Sequence, residues 1–279
     1  MKTLAQYIII LSIAIALTAC SKNGDSPHKI VVTPLINEMA ITSRYTREVY
    51  NFSYDDQKRL TGISTPNLID PITYNAGGLQ MINTSESTKK KVIDFALEEG
   101  RIKTVVYNLF ISQVNQNMPI KSTFNYDTKG RLIKIKQLIA LTPPPSTYRT
   151  LIYTFTWDDN DNLVTSRLDD PDFSSSIYTS TYSGFSAENT NTSLTGKNFG
   201  FDYLGPVGWF NDFHPDAQVT TGVILPFISP GKILPTVWKV INTTYNIVYH
   251  KNTQGYIDRI EETNAADANE YYYTDIVYQ

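Results

Sequence analysis

A nine-residue pattern that occurs three times constrains the fold of this chain more than any other feature. Phe124–Leu132 (FNYDTKGRL) aligns without gaps with Phe52–Leu60 (FSYDDQKRL) and with Phe155–Leu163 (FTWDDNDNL). The aromatic residues alternate with polar ones and therefore share one face of a strand. The Asp that follows favours a turn, because its side chain bonds to nearby backbone, and Leu begins the return strand. Each copy therefore predicts a β-hairpin.

Looser copies of this unit predict further hairpins at Ile72–Ile82, Phe95–Val105 and Ile247–Ile260. A solenoid would keep a constant period, but the residues that precede the turns are unevenly spaced. These residues are Tyr54, Tyr74, Leu97, Tyr126, Trp157 and Tyr249. We therefore expect an all-β fold, a curved antiparallel meander that is either a half-barrel or porin-like. Tight turns should lie at one end and loops of variable length at the other.

Two details of these hairpins are specific to named residues. Gly130 should adopt a positive φ where the chain reverses, since glycine does so without steric cost. Phe52, Phe124 and Phe155 occupy equivalent positions, so they should cluster on one face of the sheet. If that face stayed open, it would suit an apolar ligand.

Ser122–Asp127 looks shorter than the roughly 9–11 residues of a membrane-spanning strand, so a channel is not expected.

The composition is that of a single all-β domain without a nucleic-acid partner. The 279 residues include 19 tyrosines, and aromatic residues make up 12%, which favours strands. The net charge is −3, and the sequence has no basic patch of the kind that nucleic-acid-binding proteins carry. Cys20 is the single cysteine of the sequence, so no disulfide is expected within the chain.

The N-terminus has the pattern of a bacterial lipoprotein signal. Lys2 precedes the apolar run Tyr7–Ala16, which is shorter than the roughly 20 residues of a comfortable transmembrane helix. Leu17–Cys20 (LTAC) follows directly and has the form of a lipobox. We expect cleavage before Cys20 and lipidation of that residue; an uncleaved N-terminal anchor is the alternative. Ser21, in place of Asp, resembles the signal that sorts lipoproteins to the outer membrane.

These features divide the chain into three predicted segments. Residues 1–19 are the signal peptide, residues 20–29 a lipidated tether, and residues 30–279 a single β-meander domain. The protein is expected in the bacterial cell envelope, on the periplasmic or surface face of the outer membrane. The N-terminal lipid makes the membrane its first partner.

The hairpin motif and the lipobox also carry resemblances to known families. Tyr126–Leu132 resembles the Tyr-Asp-x-x-Gly-Arg-Leu core of YD repeats in Rhs-type shell proteins, although their regular period is missing. Residues 30–279 resemble a family of Gram-negative lipoproteins of unknown function that are described as having a porin-like β fold. That likeness rests on the lipobox, the spaced hairpins and Lys232–Thr236 (KILPT). It implies a fold and a cellular address, and it brings no catalytic residues.

Residues 185–240 depart from the hairpin rhythm. Gly200–Phe213 and Val223–Leu234 are rich in apolar residues and are interrupted by Pro and Gly. We expect a short irregular or helical cap near residues 200–235. Such a cap would either pack against an end or edge of the sheet or face a ligand.

Candidate catalytic and metal-binding residues are few. Four residues have the spacing of a calcium loop: Asp158, Asn160, Asn162 and Asp169. Leu163 occupies the position where such a loop requires Gly, so a polar turn is expected instead. The three histidines, His28, His214 and His250, lack metal-ligand spacing. Glu98-Glu99 and Glu261-Glu262 could supply the paired carboxylates of a glycosidase, but solvated turns explain both. We predict no catalytic residue, no metal and no cofactor.

The favoured function is that of a non-enzymatic, lipid-anchored binding or scaffold protein. Its ligand is left open between a small molecule, a glycan and a protein. One alternative is a carrier that holds a hydrophobic molecule in an open β half-barrel. Another is a surface-glycan hydrolase with a dispersed site. A continuous apolar concavity would favour binding, and converging carboxylates or histidines in a cleft would favour the enzyme.

Overall fold

The structure, a computed structural model, describes residues 34–65, 68–83, 91–98, 101–111, 116–140, 148–172, 175–189 and 233–279. Cys20, the signal peptide and the tether lie outside these residues, so lipidation and the three-segment division stay predictions. Among the described residues, no helix is long and apolar enough to cross a membrane.

The described residues form one antiparallel sheet of sixteen strands that closes into a barrel. Strands that follow one another in sequence are neighbours in the sheet, and β1 pairs with β16 to close it. The strands are β1 Ile36–Ser43, β2 Arg47–Tyr54, β3 Leu60–Thr65, β4 Leu68–Asn75, β5 Gly78–Asn83, β6 Lys91–Glu98, β7 Arg101–Ile111, β8 Gln116–Tyr126, β9 Leu132–Ala140, β10 Tyr148–Trp157, β11 Leu163–Asp170, β12 Ser175–Ser183, β13 Val237–Val240, β14 Thr243–Lys251, β15 Ile257–Asn264 and β16 Tyr271–Tyr278. A short 3-10 helix, Ala187–Asn189, follows β12.

Even-numbered strands end and odd-numbered strands begin at the same end of the barrel, because successive strands run in opposite directions. We call this the Asx-turn end, since four of its turns begin with Asp or Asn: residues 55–59, 127–131, 158–162 and 252–256. The chain enters and leaves the barrel there, and the Gln279 N–H donates to the Leu35 carbonyl at 2.9 Å. The long connection 184–236 also leaves from this end, contrary to the expectation that variable loops lie only at the other.

An apolar core fills the inside of the barrel. Phe52, Phe124 and Phe155 belong to one buried cluster and are 4%, 3% and 3% exposed. The cluster and the side chains packed on it include residues of all sixteen strands. A cluster that touches every strand of a closed, single-layered barrel lies inside it. The predicted phenylalanine face is therefore confirmed, and its three rings lie in the buried core.

Charged side chains occupy much of the described outer face of the barrel, beside exposed Val106, Val248 and Val277. On β8 and β9, exposed Lys121, Lys134 and Lys136 alternate with buried Ile120 and Ile135, as expected from the two-residue period of a strand. An ion pair also joins the neighbouring strands β15 and β16 on this face. This polarity is the opposite of that in membrane-spanning barrels, whose lipid-facing side chains are apolar.

The structure confirms the all-β antiparallel meander and decides between its two forms. The open half-barrel is wrong, because β1 and β16 pair over seven residue positions, from Ile36↔Tyr278 to Ser43↔Tyr272. The short strand expected at Ser122–Asp127 is wrong as well, because β8 has 11 residues. The cap predicted near residues 200–235 lies outside the described residues except for its last three positions. There, Leu234 is fully buried in the core.

Candidate functional site

The repeated sequence motif forms one kind of turn at the Asx-turn end. Asp127 Oδ1 accepts hydrogen bonds from the N–H groups of Lys129 and Arg131 at 3.0 and 2.8 Å. Its Oδ2 accepts from Arg131 Nε at 2.7 Å. The same pair of backbone bonds, to the residues two and four positions later, is made by Asp55, Asp158 and Asn252. The side chain thus satisfies backbone donors that the strand ladder leaves free.

The fourth residue of each of these turns has a positive φ. It is Gly130 in the best copy, with φ of 80°, which confirms the prediction made for it. Gly255 has φ of 86°, whereas Lys58 and Asp161 reach 62° and 64° without being glycine. Most side chains disfavour this conformation, so the carboxylate of the turn must hold the chain there in those two copies.

Six aromatic side chains form what we call the aromatic latches. Each lies at or near the end of an even strand and donates its O–H or N–H to a carbonyl at the start of the preceding strand or, for Tyr249, two residues before it. The bonds are Tyr54–Ile36, Tyr74–Leu60, Tyr126–Ile102, Trp157–Leu132, Tyr249–Pro235 and Tyr278–Ile257, at 2.5–2.9 Å. They arise from equivalent positions, so the sequence repeat is also a hydrogen-bond repeat.

The latches occupy places where two neighbouring strands part. The β7–β8 ladder ends at Thr104↔Thr123, two residues before the Ile102 carbonyl that Tyr126 binds. An unpaired carbonyl at a partly buried strand end costs free energy, and the phenol supplies the missing donor. At β6 the equivalent residue is Leu97, which has no side-chain donor. Its own backbone N–H continues the pairing by donating to the Gly77 carbonyl at 3.0 Å.

A cation covers several latches from the side. Arg59 lies 4.6 Å from the centre of the Tyr74 ring, and Arg131 lies 5.7 Å from that of Trp157. Both arginines also pair with the Asp of their own turn. The residues of the Tyr-Asp…Gly-Arg-Leu motif therefore all have structural roles. Tyr is the latch, Asp is the turn carboxylate, and Gly is the residue with positive φ. Arg makes the cation–π contact with the ring of another latch, and the backbone carbonyl of Leu accepts a latch hydrogen bond.

Burial raises the pKa of the latch tyrosines. The pKa of Tyr74 and of Tyr126 is raised to about 12. Burial also raises the pKa of Tyr54 and Tyr249 above the usual value. These phenols therefore stay protonated at neutral pH, as hydrogen-bond donors must.

The turn carboxylates shift in the other direction. Burial alone would raise the pKa of Asp127, but hydrogen bonds from Arg131 and Lys129 outweigh it and lower the pKa below its usual value. The Arg59 N–H is the main cause of the lowered pKa of Asp55. Both groups are ionised at neutral pH, which is the form that accepts several N–H bonds.

A cavity of about 240 Å³ opens where β7 and β8 part beside the Tyr126 latch. It is lined by Glu98, Arg101, Ile102, Lys103, Phe124, Asn125, Tyr126 and Asp127. The charges in this lining balance in number, since Glu98 and Asp127 face Arg101 and Lys103, and Lys103 Nζ lies 2.7 Å from Glu98 Oε2. A cleft with balanced charge suits a neutral polar molecule better than an ion.

An ion pair also lies inside the barrel, away from the Asx-turn end. Arg149 Nε and Nη2 lie 2.7 and 2.6 Å from Asp170 Oδ2, and the Asp170 side chain is 1% exposed. Arg149 lies at the start of β10 and Asp170 at the end of β11, and both occupy inward positions. The sequence analysis did not anticipate this pair, because nothing local marks two residues on different strands as partners.

The structure does not bring the described residues that were considered for catalysis or metal binding together in one site. Asp158 uses both carboxylate oxygens on its own turn, which agrees with a polar turn in place of a calcium loop. The residues 261 and 262 are consecutive on β15, so their carboxylates point to opposite faces and cannot act as a pair. His250 lies in β14, with Nε2 3.2 Å from Glu261 Oε1. Among the described residues, no group of His, Cys, Asp and Glu could hold a metal ion.

The latches themselves were missed from sequence, although a signal was present. Five of the six residues that precede the predicted turns are Tyr or Trp, which carry a donor, and Leu97 is the exception. Two residues earlier, the three best copies have Phe, which carries none. That contrast distinguishes a ring that only packs from a ring that must also donate a hydrogen bond.

No protein-family model and no curated protein matches the chain. Its fold is similar to the crystal structure of a porin-like protein from Bacteroides vulgatus, with a TM-score of 0.59 and 12% identity over 88% of this chain and 99% of the other. A porin-like protein from Bacteroides uniformis gives a TM-score of 0.61 and 10% identity, over 89% and 99% of the two chains. These matches confirm the porin-like fold. The lipoprotein and YD-repeat likenesses stay predictions.

Proposed function

We propose that this protein is a lipid-anchored, non-enzymatic binding or scaffold barrel of the outer membrane. Acylated Cys20 holds it at the membrane, and its strands do not cross the bilayer. One observation carries the proposal: the apolar core lies inside the barrel, whereas lysines and arginines such as Lys121, Lys134, Lys136 and Arg259 point outward.

The energetics of the outer face support this placement. A Lys or Arg that faces lipid at the bilayer midplane costs about 2–4 kcal/mol. Lys121, Lys134 and Lys136 all lie outward on two adjacent strands, and Arg259 lies outward on a third. A bilayer around this wall would bear several such costs. Water around it bears none, and the lipobox offers another means of attachment.

The apolar interior argues against both a pore and an open carrier. Porins conduct through a polar, water-filled lumen, whereas the Phe52, Phe124 and Phe155 side chains inside this barrel are apolar and buried. The same burial leaves no open aromatic face for a hydrophobic cargo at this level. A binding role therefore belongs to the surface, and the cavity between β7 and β8 is a place for a small neutral polar ligand.

Fractionation of a Gram-negative host that expresses Cys20→Ala tests the proposal. The variant should be released in the soluble fraction, whereas the wild-type protein and the matched control Ser21→Ala, which keeps Cys20, should partition into detergent. Wild-type protein should also give no conductance in planar bilayers. A Cys20→Ala barrel that stays in membranes after alkaline carbonate extraction, through embedded strands or through an uncleaved signal segment, would overturn the proposal.

A further inference from the structure

We infer that the cavity between β7 and β8 binds one neutral sugar ring, a pyranose, through hydrogen bonds to its charged and amide side chains. The inference rests on the proposed binding function and names the class of ligand. It follows from the size of the cavity, the balance of its charges and the mixture of donors and acceptors that line it.

The cavity exists because two neighbouring strands part before they end. The β7–β8 ladder stops at Thr104↔Thr123, so the first three residues of β7 and the last three of β8 have no backbone pairing with one another. Ile102 and Phe124 line the cavity and also belong to the buried core, which makes its inner side apolar. The polar side chains of the lining stand around this apolar inner side.

The volume of about 240 Å³ restricts the ligand to a single small ring. Pockets that hold drug-sized molecules have about 300–1,000 Å³, so this cavity is too small to enclose a ligand of two rings. The cavity is open to solvent, and further units of an oligosaccharide would therefore project out of it.

The charged side chains of the cavity disfavour a charged ligand. Glu98 and Asp127 carry negative charges, and Arg101 and Lys103 carry positive ones. Asp127 already accepts bonds from N–H groups of its own turn, and Lys103 Nζ lies 2.7 Å from Glu98 Oε2. An anion would meet both carboxylates and a cation would meet both basic groups, whereas a neutral ligand leaves the pairs undisturbed.

The hydroxyl groups of a sugar match the mixture of donors and acceptors, because each hydroxyl can both donate and accept. Glu98 can only accept, Arg101 and Lys103 can only donate, and the exposed Asn125 amide does both. Adjacent hydroxyls of one ring can therefore bond to a carboxylate and a cation at once, and such charge-assisted bonds are the stronger kind. The C–H groups of the ring would contact the apolar inner side, where a ligand that is polar on every side would gain nothing.

Saturation-transfer NMR on the full lipidated protein, in a detergent without a sugar headgroup, tests the ligand class. The neutral probes are the methyl pyranosides of glucose, galactose and mannose, and the charged probes are glucuronate and glucosamine. We expect saturable transfer to at least one neutral probe and binding of both charged probes that is weaker by about fivefold or more. Transfer to none of the neutral probes, or equal binding of the neutral and charged sugars, would overturn the inference.

Two substitutions locate the site. Asn125→Ala removes an amide from the cavity, and its matched control, Asn51→Ala, removes an exposed amide from β2 outside the cavity. We expect Asn125→Ala to weaken binding several-fold and Asn51→Ala to leave it unchanged. Equal effects of the two variants would place any sugar site elsewhere and contradict the inference.

Glu98→Gln tests the charge argument. It leaves a polar side chain in place but removes a negative charge, so glucuronate should gain affinity relative to the neutral probes. An unchanged preference would contradict the role given to the balanced charges. Urea unfolding of each variant is measured first, which separates loss of binding from loss of the fold. Membrane attachment is measured in the Cys20→Ala experiment, so failure of the sugar site is distinguished from failure of the proposed lipid anchor.

Discussion

Replacing Tyr126 with Phe removes one aromatic latch and leaves the ring in place. The phenol donates to the Ile102 carbonyl at 2.8 Å, beyond the last β7–β8 backbone pair. The substitution deletes only that donor, because the ring can still pack against the core and still lie beneath Arg101. The matched control is Tyr45→Phe, whose side chain is 82% exposed.

The expected loss follows from the fate of the Ile102 carbonyl. A hydrogen bond of this kind contributes a net 0.5–1.5 kcal/mol, roughly, and a fully buried orphan carbonyl costs about 1–3 kcal/mol. The cavity between β7 and β8 is lined by both Ile102 and Tyr126, so water can reach the carbonyl and replace part of the bond. We therefore expect a loss of about 1 kcal/mol, which corresponds to a fall of roughly 2–4 °C in Tm for a domain of this size.

Equilibrium urea unfolding of the Cys20→Ala protein measures this loss. Tyr126→Phe should lower the midpoint with an unchanged slope, and Tyr45→Phe should leave the midpoint where it is. If the two variants were equally stable, the latch bond would contribute nothing beyond ring packing, and the hydrogen-bond repeat would lose its energetic meaning.

Three further outcomes are expected. Gly255→Ala, with φ of 86° and free space around the new Cβ, should cost about 1 kcal/mol of stability. Gly130→Ala should cost more, because the Arg101 guanidinium, 2.4 Å from the new Cβ, must also move from its place over the Tyr126 ring. Equal losses of the two variants in urea unfolding would refute the packing argument. The pKa of Tyr74 is raised to about 12 in the folded protein, so its contribution to stability should be complete below about pH 10 and be lost as pH rises through 12. Absorbance at 295 nm should show tyrosines that titrate with a midpoint near 12 in the native protein. A single native midpoint near 10 would contradict this. Arg149→Met should destabilise the protein by about 3 kcal/mol, because it removes the cation that pairs with the buried Asp170 carboxylate. Further replacement of Asp170 by Leu should recover much of the loss. A double variant no more stable than the single one would count against that explanation.

The hairpins were predictable from sequence because their causes are local. Asp127 bonds to residues two and four positions later, and Gly130 reverses the chain three positions after it, so a nine-residue window contains the whole mechanism. The alternation that places Phe124 inward also depends only on the two-residue period of a strand. The same holds for Phe52 and Phe155, which explains why all three were assigned correctly to one buried face.

The closure of the barrel, the latches and the inner ion pair were decided by tertiary structure. The pairing of Ile36 with Tyr278 joins residues at the two ends of the domain, and the hairpin pattern is the same whether that pairing forms or the sheet stays open. Whether the phenylalanine face is a groove or a core depends on this closure, and so does the difference between a carrier and a surface binder. Arg149 and Asp170 meet for a similar reason: two strands must adopt one register before either charge has a partner. Local sequence determines which way each side chain points, and only the assembled sheet determines what it meets there.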